Sequence, residues 1–180
     1  NSGKYYSTIQ RAIDSVSGTN DSTYKTIIVF SGKYAGFTCS KSYINIIGLG
    51  DPIITDNTYS FVNLTGTNIL FKGFKILRKN HIIENSYFRV INCTGSKINL
   101  ENIDINLTWF NNIYTTTPTF SLVRASSGVD SLSMVNCTLM ASKIDEYENV
   151  TSTNNGISIE GAGCKFYSKN LNIKLEFNNG

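Results

Sequence analysis

Trp109, Phe110 and Tyr114 stand close together in the segment 106–120, NLTWFNNIYTTTPTF, which holds the single tryptophan of the chain. Aromatic rings on a projecting segment can stack on sugar faces or anchor a protein partner, because they bury much area at small entropic cost. They can equally fold back and cover the body from which they project. Glu101 and Asp104 are carboxylates of the type that holds calcium or exchanges protons. Asp145, Glu146 and Glu148, in SKIDEYENVTST, read instead as a solvated charge run in a loop. His81, the single histidine, sits in RKNHIIENS without a nucleophile motif and reads as a surface-loop residue. Lys72, Lys75, Arg78 and Lys79 form a basic group that could attract an acidic polysaccharide. Cys39, Cys93, Cys137 and Cys164 have no CxxC spacing, so a zinc site is not expected. With no P-loop, Rossmann fingerprint or zinc-protease helix either, the chain is expected to use no cofactor and no metal.

The elements that would position these residues come from a repeat. Ile44-Asn45-Ile46-Ile47-Gly48-Leu49 returns as segments beginning at Ile69, Ile98 and Leu132, and more weakly at Phe166. The spacings are 69−44=25, 98−69=29, 132−98=34 and 166−132=34, in the range of solenoid repeats. Alternation at the first and third places is the period of a strand, and Gly48, Gly73, Asn102, Asn136 and Asn170 occupy a place suited to left-handed backbone. Each copy therefore reads as strand, sharp bend, strand. No helix-period segment recurs after residue 18, which leaves a parallel β-helix as the solenoid that fits.

A second strand precedes several copies, in SFVNL (60–64), FRVINC (88–93), FSLVRA (120–125) and GISIE (156–160), each followed by glycine: Gly66, Gly95, Gly128 and Gly161. Counting back five places from each repeat start gives Cys39, Leu64, Cys93, Ser127 and Gly161, of which the first three form one inward stack. Cys39 and Cys93 would then lie two coils, about 10 Å, apart, too far for a disulfide. Cys137 aligns with Leu49, Phe74, Ile103 and Leu171, as a small core residue. The same alignment sets Glu101 beside Lys72 and Asp104 beside Lys75, where each carboxylate would pair with an ammonium on the preceding coil.

YYSTIQRAIDSVSG opens the chain with a capping-box pattern at Ser7 and Gln10, an apolar face of Ile9, Ala12, Ile13 and Val16, and a stop at Gly18. An open solenoid exposes a hydrophobic end and unpaired strand edges, so this helix is expected to cap the first coil. The expected layout is one domain over 1–180: a capping helix in 1–18 and about five coils in 25–180. Phe166, Leu171, Ile173, Leu175 and Phe177 would leave the last coil open, to be completed by more chain or by another protein subunit.

Composition permits one substantial core: 180 residues, 41% hydrophobic, with 14 glycines. A net charge of +3 with scattered Lys and Arg does not suggest a nucleic-acid partner, and no apolar run is long enough for a membrane span. The chain begins at Asn1 without methionine, as a processed or partial segment does.

YYSTIQRAIDSV, then KTIIVFSGKYAGF, then SYINIIGLGDPIITD resembles the opening of pectinesterases and related members of the pectin-lyase-like superfamily. The resemblance covers about the first 56 residues. It implies an all-β fold, a right-handed single-stranded parallel β-helix with an N-terminal capping α-helix. It also implies motifs like QAVAL, QDTL and DFIFG, and none occurs; after Gly32-Lys33-Tyr34 the family's acidic residue is replaced by Ala35-Gly36. A related pectate lyase would cluster carboxylates on calcium and use an arginine or lysine as base, for which Glu101, Asp104 and Arg124 are the candidates. The sequence therefore leads us to expect a non-catalytic structural or attachment module, such as a virion surface, capsid or fibre component, on a virion or extracellular surface. The alternatives are a pectate lyase or pectinesterase-like enzyme, or a carbohydrate-binding module that uses Trp109, Phe110 and Tyr114. The expected partners are other protein subunits, through the C-terminal end of the solenoid, and possible polysaccharide.

Overall fold

The computed structural model describes residues 4–55, 60–83, 87–111, 119–145 and 153–178. The repeated segments form strands of one parallel sheet, in chain order: β1 (Lys25–Val29), β4 (Ile44–Gly48), β7 (Ile69–Ile83), β9 (Ile98–Asn111), β11 (Ser131–Asp145) and β13 (Lys165–Asn178). Two short strands, β2 (Lys33–Tyr34) and β5 (Ile53–Ile54), join the same sheet. The intervening segments form a second parallel sheet from β3 (Phe37–Cys39), β6 (Ser60–Leu64), β8 (Tyr87–Cys93), β10 (Thr119–Ala125) and β12 (Thr153–Ile159), again in chain order. The chain thus alternates between the sheets and adds a neighbouring strand at each return, an all-β arrangement compatible with a parallel β-helix. Each passage through both sheets is called a rung below.

Alternating side chains explain why the strands stack in register. Ile44, Ile69, Ile98, Leu132 and Phe166 are successive partners in one row, as the repeat predicts. Ile46, Phe71, Leu100, Met134 and Ser168 form the next inward row. Aromatic rings fill the same interior: Phe71 stacks on Phe74 with centroids 4.4 Å apart, and Phe88 on Phe120 at 5.8 Å. β1 is a rung that the repeat did not reveal, because Lys25 holds the place of Ile44.

The expected bend is present. Gly73, Asn102, Asn136 and Asn170 have φ of 78°, 52°, 53° and 52°, in the left-handed region. Asparagine tolerates it because its short amide can bond locally, and here the amides bond along the column. Asn136 Nδ2 donates to Asn102 Oδ1 (3.1 Å) and Asn170 Nδ2 to Asn136 Oδ1 (2.9 Å). The first copy differs. Gly48 is not left-handed; Gly50 and Asp51 are, at 72° and 57°. Ile53 pairs with Lys75, so buried Pro52 takes the row of Phe74. Leu49, expected inside, is pushed out and is 48% exposed, because Leu49-Gly50-Asp51 is an insertion. A second left-handed column, Tyr43, Asn68 and Lys97, precedes β4, β7 and β9.

The turns between the sheets also refine the alignment. Cys39, Leu64 and Cys93 share a row as expected, but it continues through Ala125 and Ile159 rather than Ser127 and Gly161. The turn lengthens from 98−93=5 to 132−125=7 positions, which moves the count by two. Gly66 and Gly95 stack closely there: a Cβ on Gly95 would strike the Gly66 carbonyl oxygen.

The capping helix α1 is Ile9–Asp14, shorter than expected, and its N-cap is Thr8 rather than Ser7; the Thr8 hydroxyl accepts from Arg11 N at 3.1 Å. Ile9, Ala12 and Ile13 are buried, and Val16 packs against the core. Gln10 does not close a capping box. Its Nε2 donates to Thr38 O (3.1 Å) and its Oε1 accepts from Thr38 N (2.8 Å), so one side chain occupies the free edge of β3 as a neighbouring strand would.

Candidate functional site

The residues that could do chemistry are arranged as ladders between rungs. Lys72 Nζ meets Glu101 Oε1 at 2.7 Å, the pairing expected from register. Lys75 does not pair with Asp104: its Nζ bonds Asp51 Oδ2 at 2.8 Å, because the insertion after Gly48 brings Asp51 within reach. The hydrogen bond and charge of Asp51 hold the Lys75 ammonium above its ordinary pKa, with a smaller contribution from Asp104. Asp104 stands in register with Lys75 and Thr138, and its Oδ1 is shut from solvent with no hydrogen-bond partner among the described residues.

Arg124 lies on the other sheet. Its Nε donates to Glu160 Oε1 at 2.6 Å, its Nη2 to Glu160 Oε2, and its Nη1 to Asn92 Oδ1 at 3.2 Å. Asn92 in turn donates to Asn63 Oδ1 at 3.2 Å, in the same row. The hydrogen bond to Arg124, more than its charge, holds the Glu160 carboxyl below its usual range. The structure therefore brings Glu101 to Lys72 and Arg124 to Glu160 and Asn92, and does not join Glu101, Asp104 and Arg124 into one constellation. Among the described residues, no three His, Cys, Asp or Glu side chains converge as metal ligands would.

The aromatic candidates are placed in part. β9 does not leave the sheet at Asn106 as expected; it runs to Asn111, and the backbone of Trp109 and Phe110 pairs with Lys143 and Ile144 of β11. Tyr114 lies outside the described residues, as do Glu146 and Glu148. The backbone of His81 is in β7, paired with Trp109 after a register shift, rather than in a loop. Asp145 is the last residue of β11.

The cysteines are free thiols, three buried and Cys164 half-buried. Burial pushes Cys39 up to about 11 and Cys93 up to about 12, and raises Cys137. Such thiols are poor nucleophiles and behave as small core residues.

The inward rows change character at the last rung. Phe166 is 40% exposed where Leu132 beneath it is fully buried, and Ile173 is 42% exposed above fully buried Leu139. Ile159 repeats the pattern above Ala125 on the second sheet. Lys165 and Lys169 are exposed on the same rung. At the opposite end, a groove of about 640 Å³ between α1 and β1 is lined by Tyr5, Tyr6, Ile28, Phe30 and Tyr34, with Lys4 and Lys25 as its charged residues. The apolar helix face predicted a closed end here; the tertiary arrangement buries Val29 but leaves Ile28 and Phe30 exposed. A smaller hollow of about 320 Å³ on the outer face of the long sheet involves Tyr24, Asn45, Leu70, Asn99 and Glu101.

No helix among the described residues is long and apolar enough to cross a membrane. No family model, no curated protein and no solved structure matches the chain.

Proposed function

We propose that the two sheets are walls of one right-handed, single-stranded parallel β-helix of the pectin-lyase-like kind, acting without catalysis as a structural or attachment module. Parallel crossovers are almost always right-handed, which supports the hand. The sequence resemblance of the helix and first strands supports the superfamily. One observation carries the functional reading: rows buried through the middle rungs, Ile44 to Leu132, Ile54 to Leu139 and Cys39 to Ala125, become apolar side chains open to solvent at β12 and β13. Such an end asks for cover, from more chain or from another protein subunit. A virion surface, a fibre or another extracellular assembly is the setting we propose.

A polysaccharide lyase, esterase or carbohydrate-binding module is the second reading. Asp104 favours it, because a carboxylate oxygen closed off without a partner is costly unless something else uses it.

The attachment and enzymatic readings separate in one assay. Purified protein is incubated with polygalacturonate and methylated pectin, with and without calcium, while unsaturated ends and released methanol are followed. No turnover is expected. Turnover that disappears in Asp104→Ala or Glu101→Ala would replace the attachment reading with the enzymatic one.

A further inference from the structure

We propose that Asn20 is an N-glycosylation acceptor, presented to an oligosaccharyltransferase by the turn between α1 and β1. The inference rests on the extracellular setting proposed above and adds a modification that this setting would bring.

Asn-x-Ser/Thr triplets, the pattern such a transferase reads, begin at Asn20, Asn63, Asn92, Asn106, Asn136 and Asn149. A chain rich in asparagine, serine and threonine produces triplets by composition alone, so only geometry separates them. Asn149 lies outside the described residues. An acceptor needs a side chain in solvent with room for a bulky sugar, an Nδ2 not already bound as a donor, and backbone that bends around the triplet.

Asn20 meets all of these. It is exposed, in a turn closed by Asn20 N on Thr23 O (3.3 Å) and Thr23 N on Asn20 O (3.0 Å). Its Oδ1 accepts from Ser22 N at 3.0 Å, so the amide carbonyl is held by the backbone of the triplet's own hydroxyl residue. That bond polarises the amide and leaves Nδ2 without a partner among the described residues.

The other described triplets are built into the ladders. Thr65 N donates to Cys39 O at 2.9 Å and Thr94 N to Leu64 O at 3.0 Å, so a neighbouring rung holds the amides that would have to turn toward Asn63 and Asn92. Asn92 also donates to Asn63 Oδ1 and accepts from Arg124, at 3.2 Å each. Asn136 is bonded in both directions along its column. Asn106 is exposed, but it and Thr108 stand in extended β9, in register with Met140 and Ser142 of β11.

The donor is a polyprenyl-diphosphate oligosaccharide. Nδ2 of Asn20 attacks C1 of the first sugar, and the C1–O bond to the diphosphate breaks. One amide proton passes to a base of the transferase, and the diphosphate leaves with the electron pair.

To test this, the intact chain is secreted from cultured animal cells behind a cleavable signal peptide. Treatment with peptide-N-glycosidase in heavy-oxygen water then marks each asparagine that carried a glycan, for peptide mass spectrometry. A glycan at Asn20 is expected. It should disappear in Asn20→Gln and in Ser22→Ala and persist in Ser22→Thr, with circular dichroism and thermal unfolding of Asn20→Gln unchanged. A second measurement removes any dependence on the nascent chain: folded, unglycosylated protein is incubated with a soluble N-glycosyltransferase and UDP-glucose. Amides held in a ladder react only when the ladder opens, so Asn20 should react at least about tenfold faster than Asn63, Asn92 and Asn136. The difference should vanish in peptides cut from the chain. A folded chain that leaves Asn20 bare in either assay, or that carries sugar at Asn92 or Asn136 to the same extent, overturns the proposal. The assays themselves supply the donor and the export, so their failure falls on the site and leaves the attachment reading standing.

Discussion

Asn136 does two things at one position: it holds a left-handed backbone and bonds in both directions along the column. These contributions can be separated. Asn136→Gly removes the bonds but accepts the conformation, whereas Asn136→Ala also bears about 1 kcal/mol for a Cβ in left-handed backbone. Urea unfolding should rank wild type above Gly and Gly above Ala. Glu160 gives a pH-dependent counterpart. Arg124 lowers its folded pKa, so its stabilisation is present above the ordinary carboxylate value and disappears as pH falls through that value toward the lowered one. Glu160 is nearly half exposed, and solvent screening limits the effect to about 0.5 kcal/mol. Glu160→Gln should lose less stability than wild type on acidification below about pH 4.5, measured by thermal unfolding across a pH series.

Among the elements, α1 is the one that covers the outer edge of β3. Six residues make a poor helix alone, and this one is held by Ile9 and Ile13 in the core and by the Gln10 amide on Thr38. Gln10→Ala should cost about 1–2 kcal/mol for two hydrogen bonds and open the edge of β3 to other strands. Gln10→Glu should be worse at neutral pH, because a carboxylate accepts from Thr38 N but repels Thr38 O. Chemical unfolding checks the first effect, and light scattering on warming checks the second. The buried helix face was legible in residue spacing. The task of Gln10 was not, because its partner lies 28 positions away.

For the whole molecule, position in the stack sets local stability. β7, β9 and β11 have neighbours on both sides in the long sheet, whereas β1 and β13 have one each. Interactions between adjacent rungs dominate the stability of such arrays, so end rungs open first. Hydrogen exchange followed by mass spectrometry should find the slowest amides around Phe71, Leu100 and Met134, and faster exchange in β13. Slow exchange throughout β13 would mean that its free edge is covered in solution.

The sequence by itself determined the phase of the rungs. Parallel stacking asks for the same inward side chain and the same bend at every return, so Ile44, Ile69, Ile98 and Leu132 announce their row, and Asn102, Asn136 and Asn170 their corner. It paired Glu101 with Lys72 for that reason. Tertiary structure decided whatever depends on insertion length or on an end. Three inserted residues expelled Leu49 and gave Lys75 to Asp51, and two extra turn positions carried the Cys39 row to Ala125 and Ile159. Backbone hydrogen bonds between rungs set these registers, and a local residue pattern does not encode which distant edge its backbone will meet.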